Sequence, residues 1–92
     1  MDISELLKKY SLIKRRYILG TLSPDVIPLY ESLTAIVGSG ELFPIVKAHY
    51  IDGITIDAIA EQLGYEPRTI YRRQKNELSE LKTILYGNWI RR

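Results

Sequence analysis

Wherever apolar residues recur in this chain they do so at intervals of three and four, and nowhere do they alternate. That spacing lines one face of an α-helix, whereas a half-buried strand would need a period of two. Ile3, Leu6, Leu7, Tyr10, Ile13 and Tyr17 predict a first helix over residues 3 to 18. Gly20 and the Ser23-Pro24 pair stop it, and the pair offers an N-cap followed by proline at the first position of the next helix. That second helix begins between Pro24 and Pro28 and runs through Leu29, Leu33, Ile36 and Val37 to the Gly38-Ser39-Gly40 breaker. A third segment spans Glu41 to Tyr50, with Pro44 confined to its first turn, and Asp52-Gly53 ends it. Thr55 then caps a helix carrying Ile56, Ile59, Ala60 and Leu63, which Gly64 stops. The last helix opens at Pro67 and carries Ile70, Leu78, Leu81 and Leu85 on one side until Gly87. The pattern predicts an all-α fold of four to five helices.

A length of 92 residues leaves room for one core. The chain divides into an N-terminal amphipathic basic helix, residues 1–22, available for oligomerisation or a partner, and a second unit, residues 23–92. The net charge of +2 hides a polarised distribution. From residue 68 onward stand seven bases (Arg68, Arg72, Arg73, Lys75, Lys82, Arg91, Arg92) against the acids Glu77 and Glu80, while residues 1–67 carry six bases and nine acids. A cluster of cations in one helix points to a polyanion as partner. The lack of cysteine excludes disulfides and thiolate metal sites. No apolar run approaches the roughly 20 residues that span a bilayer, and the N-terminus lacks a signal-peptide pattern. The expectation is a soluble cytoplasmic protein with no membrane partner.

The segment from Thr55 to Lys75 has the grammar of a helix-turn-helix: a short helix, a glycine-led turn, and a helix beginning at proline. Ala60 is small where the two helices must approach, and Gly64 can take the left-handed conformation that swings the chain between them. Ile59, Leu63, Tyr65 and Ile70 are expected to bury the angle. At about 100° per residue, Arg72, Lys75 and Tyr71 lie near +40°, −20° and −60° from Arg68, and the apolar residues lie on the far side. Arginine can form two hydrogen bonds with a guanine edge, and lysine and tyrosine can reach phosphates. Residues nearest the start of such a helix contact bases. This makes Arg68 and Arg72 the candidate base readers, with Tyr71 and Lys75 nearer the DNA backbone.

The run from Ile51 to Tyr65, followed by Pro67-Arg68-Thr69-Ile70-Tyr71-Arg72, resembles the region-four helix-turn-helix of bacterial sigma factors. It is most similar to small phage-encoded versions, the ArpU and RinA type late-gene transcription regulators. The family pattern stands here as Gly53, Thr55, Ile59, Ala60, Leu63, Gly64, Thr69, Tyr71 and Arg72, and the resemblance covers about residues 41 to 86. It implies that Pro67, Arg68 and Arg72 occupy promoter-contacting positions, a phage or prophage origin, and contact with RNA polymerase. Pro67 has no side-chain donor, so one usual contact is lost or becomes apolar. Arg73 stands where the family carries an apolar residue, Glu77 where it often carries alanine, and Gln74 interrupts the apolar face. Either these residues meet polar partners from the N-terminal helix, or the last helix packs less deeply.

The expected DNA-contacting set is Pro67, Arg68, Thr69, Tyr71, Arg72, Arg73 and Lys75, although for Arg73 a phosphate contact and a structural salt bridge fit equally. Lys8, Lys9, Lys14, Arg15 and Arg16 read as a solvated helix face, and Tyr10, Tyr17, Tyr30, Tyr50 and Tyr86 as core or interface. His49 has no second ligand or nucleophile beside it, so it reads as structural. Ser11-Leu12-Ile13-Lys14 matches the Ser-x-x-Lys pattern without its companion motifs, and Gly38-Ser39-Gly40 lacks the strand and lysine of a phosphate loop. No enzyme, cofactor or metal site is expected. The function read from the sequence is a sequence-specific double-stranded-DNA-binding transcription regulator. Its rivals are a protein-interaction module contacting RNA polymerase and a small-terminase-like DNA-packaging adaptor. A single unit makes few phosphate contacts, which favours a homodimer through the N-terminal helix or recruitment by a larger partner.

Overall fold

The structure is a computed structural model that describes residues 2–90, with side chains described through Tyr86. The described residues are all-α, as the spacing predicts. They form six helical segments: α1 Ile3–Lys8, α2 Tyr10–Ile18, α3 Ile27–Val37, α4 Pro44–Val46, α5 Ile56–Leu63 and α6 Pro67–Ile90. A wider π-type stretch, Lys47–Ile51, continues α4 without interruption.

Three boundaries differ from the sequence expectation: the first helix is broken, the third segment starts at Pro44 and not at Glu41, and α6 runs past Gly87. The first helix breaks at Lys9 (φ −108°, ψ 21°), and the apolar residues on both sides of the break are buried. Ser23-Pro24 does not supply the cap of the next helix, although that helix starts within the expected span from Pro24 to Pro28. The Ser23 hydroxyl instead bonds the Asp25 carboxylate, and α3 starts at Ile27 with Pro28 in its first turn. Proline has no N–H to donate four residues back, so Pro28 sits where the first turn leaves that donor unused anyway. Gly87 does not stop α6, which continues to Ile90. A glycine ends a helix by turning left-handed, as Gly64 does at φ +75°; its presence alone costs a helix only about 1 kcal/mol.

The apolar stripe of α1 and α2 is not left free. Ile3, Leu6, Leu7, Tyr10 and Ile13 are buried with Tyr30, Leu33 and Val37 of α3, Phe43, Val46 of α4, and Leu81 and Leu85 of α6. The hydroxyl of Tyr86 accepts from the Ile3 backbone N–H at 2.9 Å and donates to the Asp2 carboxylate at 3.0 Å, which ties the start of the chain to α6. That bond holds the Asp2 carboxyl below its ordinary range. Tyr30 is flanked by the rings of Tyr10 and Tyr17 with centroids 5.6 and 4.7 Å away, and the Tyr17 hydroxyl donates to Glu31 at 2.6 Å. A second, smaller cluster joins Ile45 to Ile56, Ile59, Ala60 and Ile70.

Glu77 joins α4 to α6. Its carboxylate accepts from the backbone N–H of Ile45 at 3.1 Å and of Val46 at 3.0 Å. These are free donors at the start of α4, where a helix presents unpaired N–H groups and its dipole favours an anion. The polar partner of Glu77 is thus the backbone of α4 and not the N-terminal helix. Gln74 is buried, so α6 packs in along its polar interruption as well.

Burial pushes the Glu77 carboxyl above the ordinary glutamate range, although its two N–H partners pull it down. The folded state therefore holds this proton more tightly than the unfolded chain does. Its contribution to stability is full at low pH and declines as pH rises through the raised value. Glu77→Gln keeps an acceptor and removes the titration, so its stability relative to the natural protein should improve as pH rises from the ordinary glutamate range through the raised value, read by urea unfolding at a series of pH values. Glu77→Ala, which orphans both N–H groups, should lose about 1–3 kcal/mol, read by urea unfolding.

Candidate nucleic-acid interface

The Thr55 side chain accepts from the Ala58 N–H at 3.2 Å and fixes the start of α5, with Asp57 in the first turn where the helix dipole favours an acid. Gly64 closes α5 in the left-handed conformation, with the N–H of Tyr65 on the Ala60 carbonyl at 2.9 Å. Two residues later Pro67 opens α6, and the carbonyl of Glu66 accepts from Thr69 at 3.0 Å. Ala60 and Ile70 are buried against each other's helices together with Ile56 and Ile59. The small residue thus stands where the helices approach, as expected.

The turn does not bury everything assigned to it. Leu63 is 53% exposed and Tyr65 44% exposed, against the expectation that both fill the angle. Leu63 shares the face of Ile56 and Ala60 by periodicity, but it is the last residue of α5 and no element covers that end. Tyr65 follows the reversal, and its ring carries the Arg73 guanidinium 4.4 Å from its centroid. A cation over an aromatic face is held electrostatically.

Arg68, Tyr71, Arg72 and Lys75 are all exposed on the arc that the helical period assigns them, and Tyr71 is 59% exposed. Pro67 is exposed beside them, and Thr69 is partly covered. Among the described residues the only ion pair is Lys47 with Asp52 at 2.9 Å, so the cations of this arc have no acid partner there. Arg73 stands apart, about 140° from Arg68 around the helix. Its partner is Tyr65 rather than a salt bridge, and the structure does not group it with the other cations. Arg91 and Arg92 lie outside the described residues.

His49 has a local structural partner. Its Nδ1 lies 2.8 Å from the Ile54 carbonyl oxygen, which can only accept, so the ring donates from Nδ1. Its ring also meets Tyr50 edge-on at 4.9 Å. Among the described residues there is no cluster of three or more acids, histidines or cysteines suited to a metal, and no helix long and apolar enough to cross a membrane.

A feature that the sequence reading did not identify lies beside the turn. An open groove of about 660 Å³ runs between α4, α5 and α6, floored by Pro44, Ile45, Ile59 and Leu63 and edged by Tyr65, Arg73, Glu77 and Glu80. The periodicity of each helix alone gives no sign of it, because the residues that line it come from different helices.

Compared with known proteins, the chain matches no protein-family model, no curated protein and no solved structure.

Gly64 carries the geometry of this region, and a Cβ built on it meets no atom within 4 Å. The cost of a side chain there is therefore conformational alone. Gly64→Ala should destabilise by about 1–2 kcal/mol, and Gly64→Asn by less because asparagine tolerates the left-handed region. Chemical denaturation of the two variants checks the order.

Proposed function

We propose that the chain is a sequence-specific double-stranded-DNA-binding regulator whose helix α6 enters the major groove. The observation that carries this reading is the exposed arc of Arg68, Tyr71, Arg72 and Lys75 on the second of two helices joined by a left-handed glycine. A major groove admits one α-helix, and its guanine edges offer two acceptors that match an arginine fork. Arg68 and Arg72 lie in the first two turns of α6, the part of a recognition helix that reaches base edges. Tyr71 and Lys75 flank them on the same exposed arc, and both side-chain types can bond phosphate oxygens. The resemblance to sigma region four supports the same reading and adds a promoter as the target and a phage or prophage as the source.

Tyr65 and Arg73 take a supporting role. The stacked pair braces the turn against α6, which favours a positioning role for Arg73 over a phosphate contact.

Binding to a site selected from random duplexes should weaken as salt rises, with a log–log slope of about −0.9 per phosphate neutralised. Arg68→Ala and Arg72→Ala should each lose about 1–3 kcal/mol of affinity and relax sequence preference. Lys75→Ala should weaken all sequences alike and reduce the salt slope by about 1. Salt-independent binding, or full affinity in the double arginine variant, would leave the protein-interaction reading in its place.

A further inference from the structure

The groove beside the turn and the outer face of α2 have matching chemistry, although they belong to different parts of the chain. On α2 and its C-cap Leu19, at about 100° per residue, Arg15, Leu19 and Arg16 lie near −60°, −20° and +40° from Leu12, opposite the buried residues Tyr10 and Ile13. Leu12 is 46% exposed and Leu19 68% exposed, with both arginines exposed beside them. Two leucines thus form a solvent-facing stripe flanked by cations.

The groove presents the converse. Its floor is apolar, Leu63 is bare to solvent, and Glu80 is an exposed carboxylate on its wall. Glu77, half-buried, is already bonded to the α4 N–H groups, and the cation at the rim, Arg73, is turned over Tyr65. Its volume of about 660 Å³ is within the range of concave binding sites. Within one chain the two surfaces do not meet, since Leu12 and Leu19 stay exposed while the groove stays open.

We propose that this groove receives the Leu12–Leu19 stripe of α2 from a second copy of the chain, with Arg15 and Arg16 set against Glu80. Charge complementarity and paired exposed leucines favour this occupant. The contact joins two different patches, so a copy engaged through one still offers the other. The groove uses the flank of α6 at about 80° to 180° from Arg68, and the cationic arc ends near 40°, so the arc stays uncovered. The association is independent of whether that arc reads DNA.

Two variants test it without DNA present. Leu12→Glu/Leu19→Glu spoils the stripe, and Leu63→Glu/Glu80→Lys spoils the groove; all four positions are exposed, and the circular dichroism of each variant should match that of the natural protein. Sedimentation velocity of the natural protein should show mass rising with concentration across the micromolar to millimolar range. Each variant alone should stay monomeric. An equimolar mixture should restore one intact stripe and one intact groove, giving a species of twice the monomer mass and nothing larger. A natural protein that stays monomeric, a variant that associates as the natural protein does, or a mixture that forms no dimer would overturn the proposal.

Discussion

Helix α6 has to complete two apolar clusters with one strip of residues, and the remaining surfaces of the molecule follow from that constraint. Ile70 closes the small cluster with Ile45, Ile56, Ile59 and Ala60, while Leu81 and Leu85 close the large one with α1, α3 and α4. A helix buried at only one end could still rotate about its axis. Burial at both ends fixes its rotation, because any turn that favours Ile70 has to keep Leu81 and Leu85 inward too. Arg68, Tyr71, Arg72 and Lys75 are consequently held outward by the buried residues on the opposite side of the helix.

Between the two clusters the strip is polar, and this is where α6 meets α4. Gln74 is 7% exposed, and Glu77 directs its carboxylate at the first free N–H groups of α4. An apolar residue at 77 would leave both donors without that partner, at a cost comparable to losing the packing it gained. Seen this way, the glutamate is the means by which a helix that begins with Pro44 is docked on a helix that begins with Pro67. The same contact sets the groove, since Pro44 and Ile45 form its floor and Glu77 and Glu80 its wall.

The elements with strong local signals were legible from the residues. Thr55, Gly64 and Pro67 each perform in the structure the job their chemistry suggests, and the periodicity of Ile70, Leu81 and Leu85 placed the buried side of α6. What escaped was decided between elements. Leu63 fits the apolar face of α5 yet lies exposed, because burial depends on whether a neighbour reaches the helix end. Arg73 and Glu77 looked like faults in an apolar helix; their partners, a tyrosine ring eight residues back and an amide pair 31 and 32 residues back, follow no helical period. The break at Lys9 likewise has no glycine or proline to announce it.

The modest net charge of +2 takes on meaning once the faces are separated. Four bases and no acid lie between Pro67 and Lys75, while Glu77 and Glu80 occupy the next turns on another side of the same helix. Under the DNA-reading proposal, one arc attracts phosphate and the neighbouring acids discourage indiscriminate binding. So small a charged arc gives weak binding on its own, since nonspecific affinity grows with the number of phosphates neutralised. Joining copies through α2 and the groove would add arcs without enlarging any one of them, and linked sites bind as though at raised local concentration. Glu80, one of the acids that limit the attraction of one unit for DNA, would then be the group that brings a second unit to it.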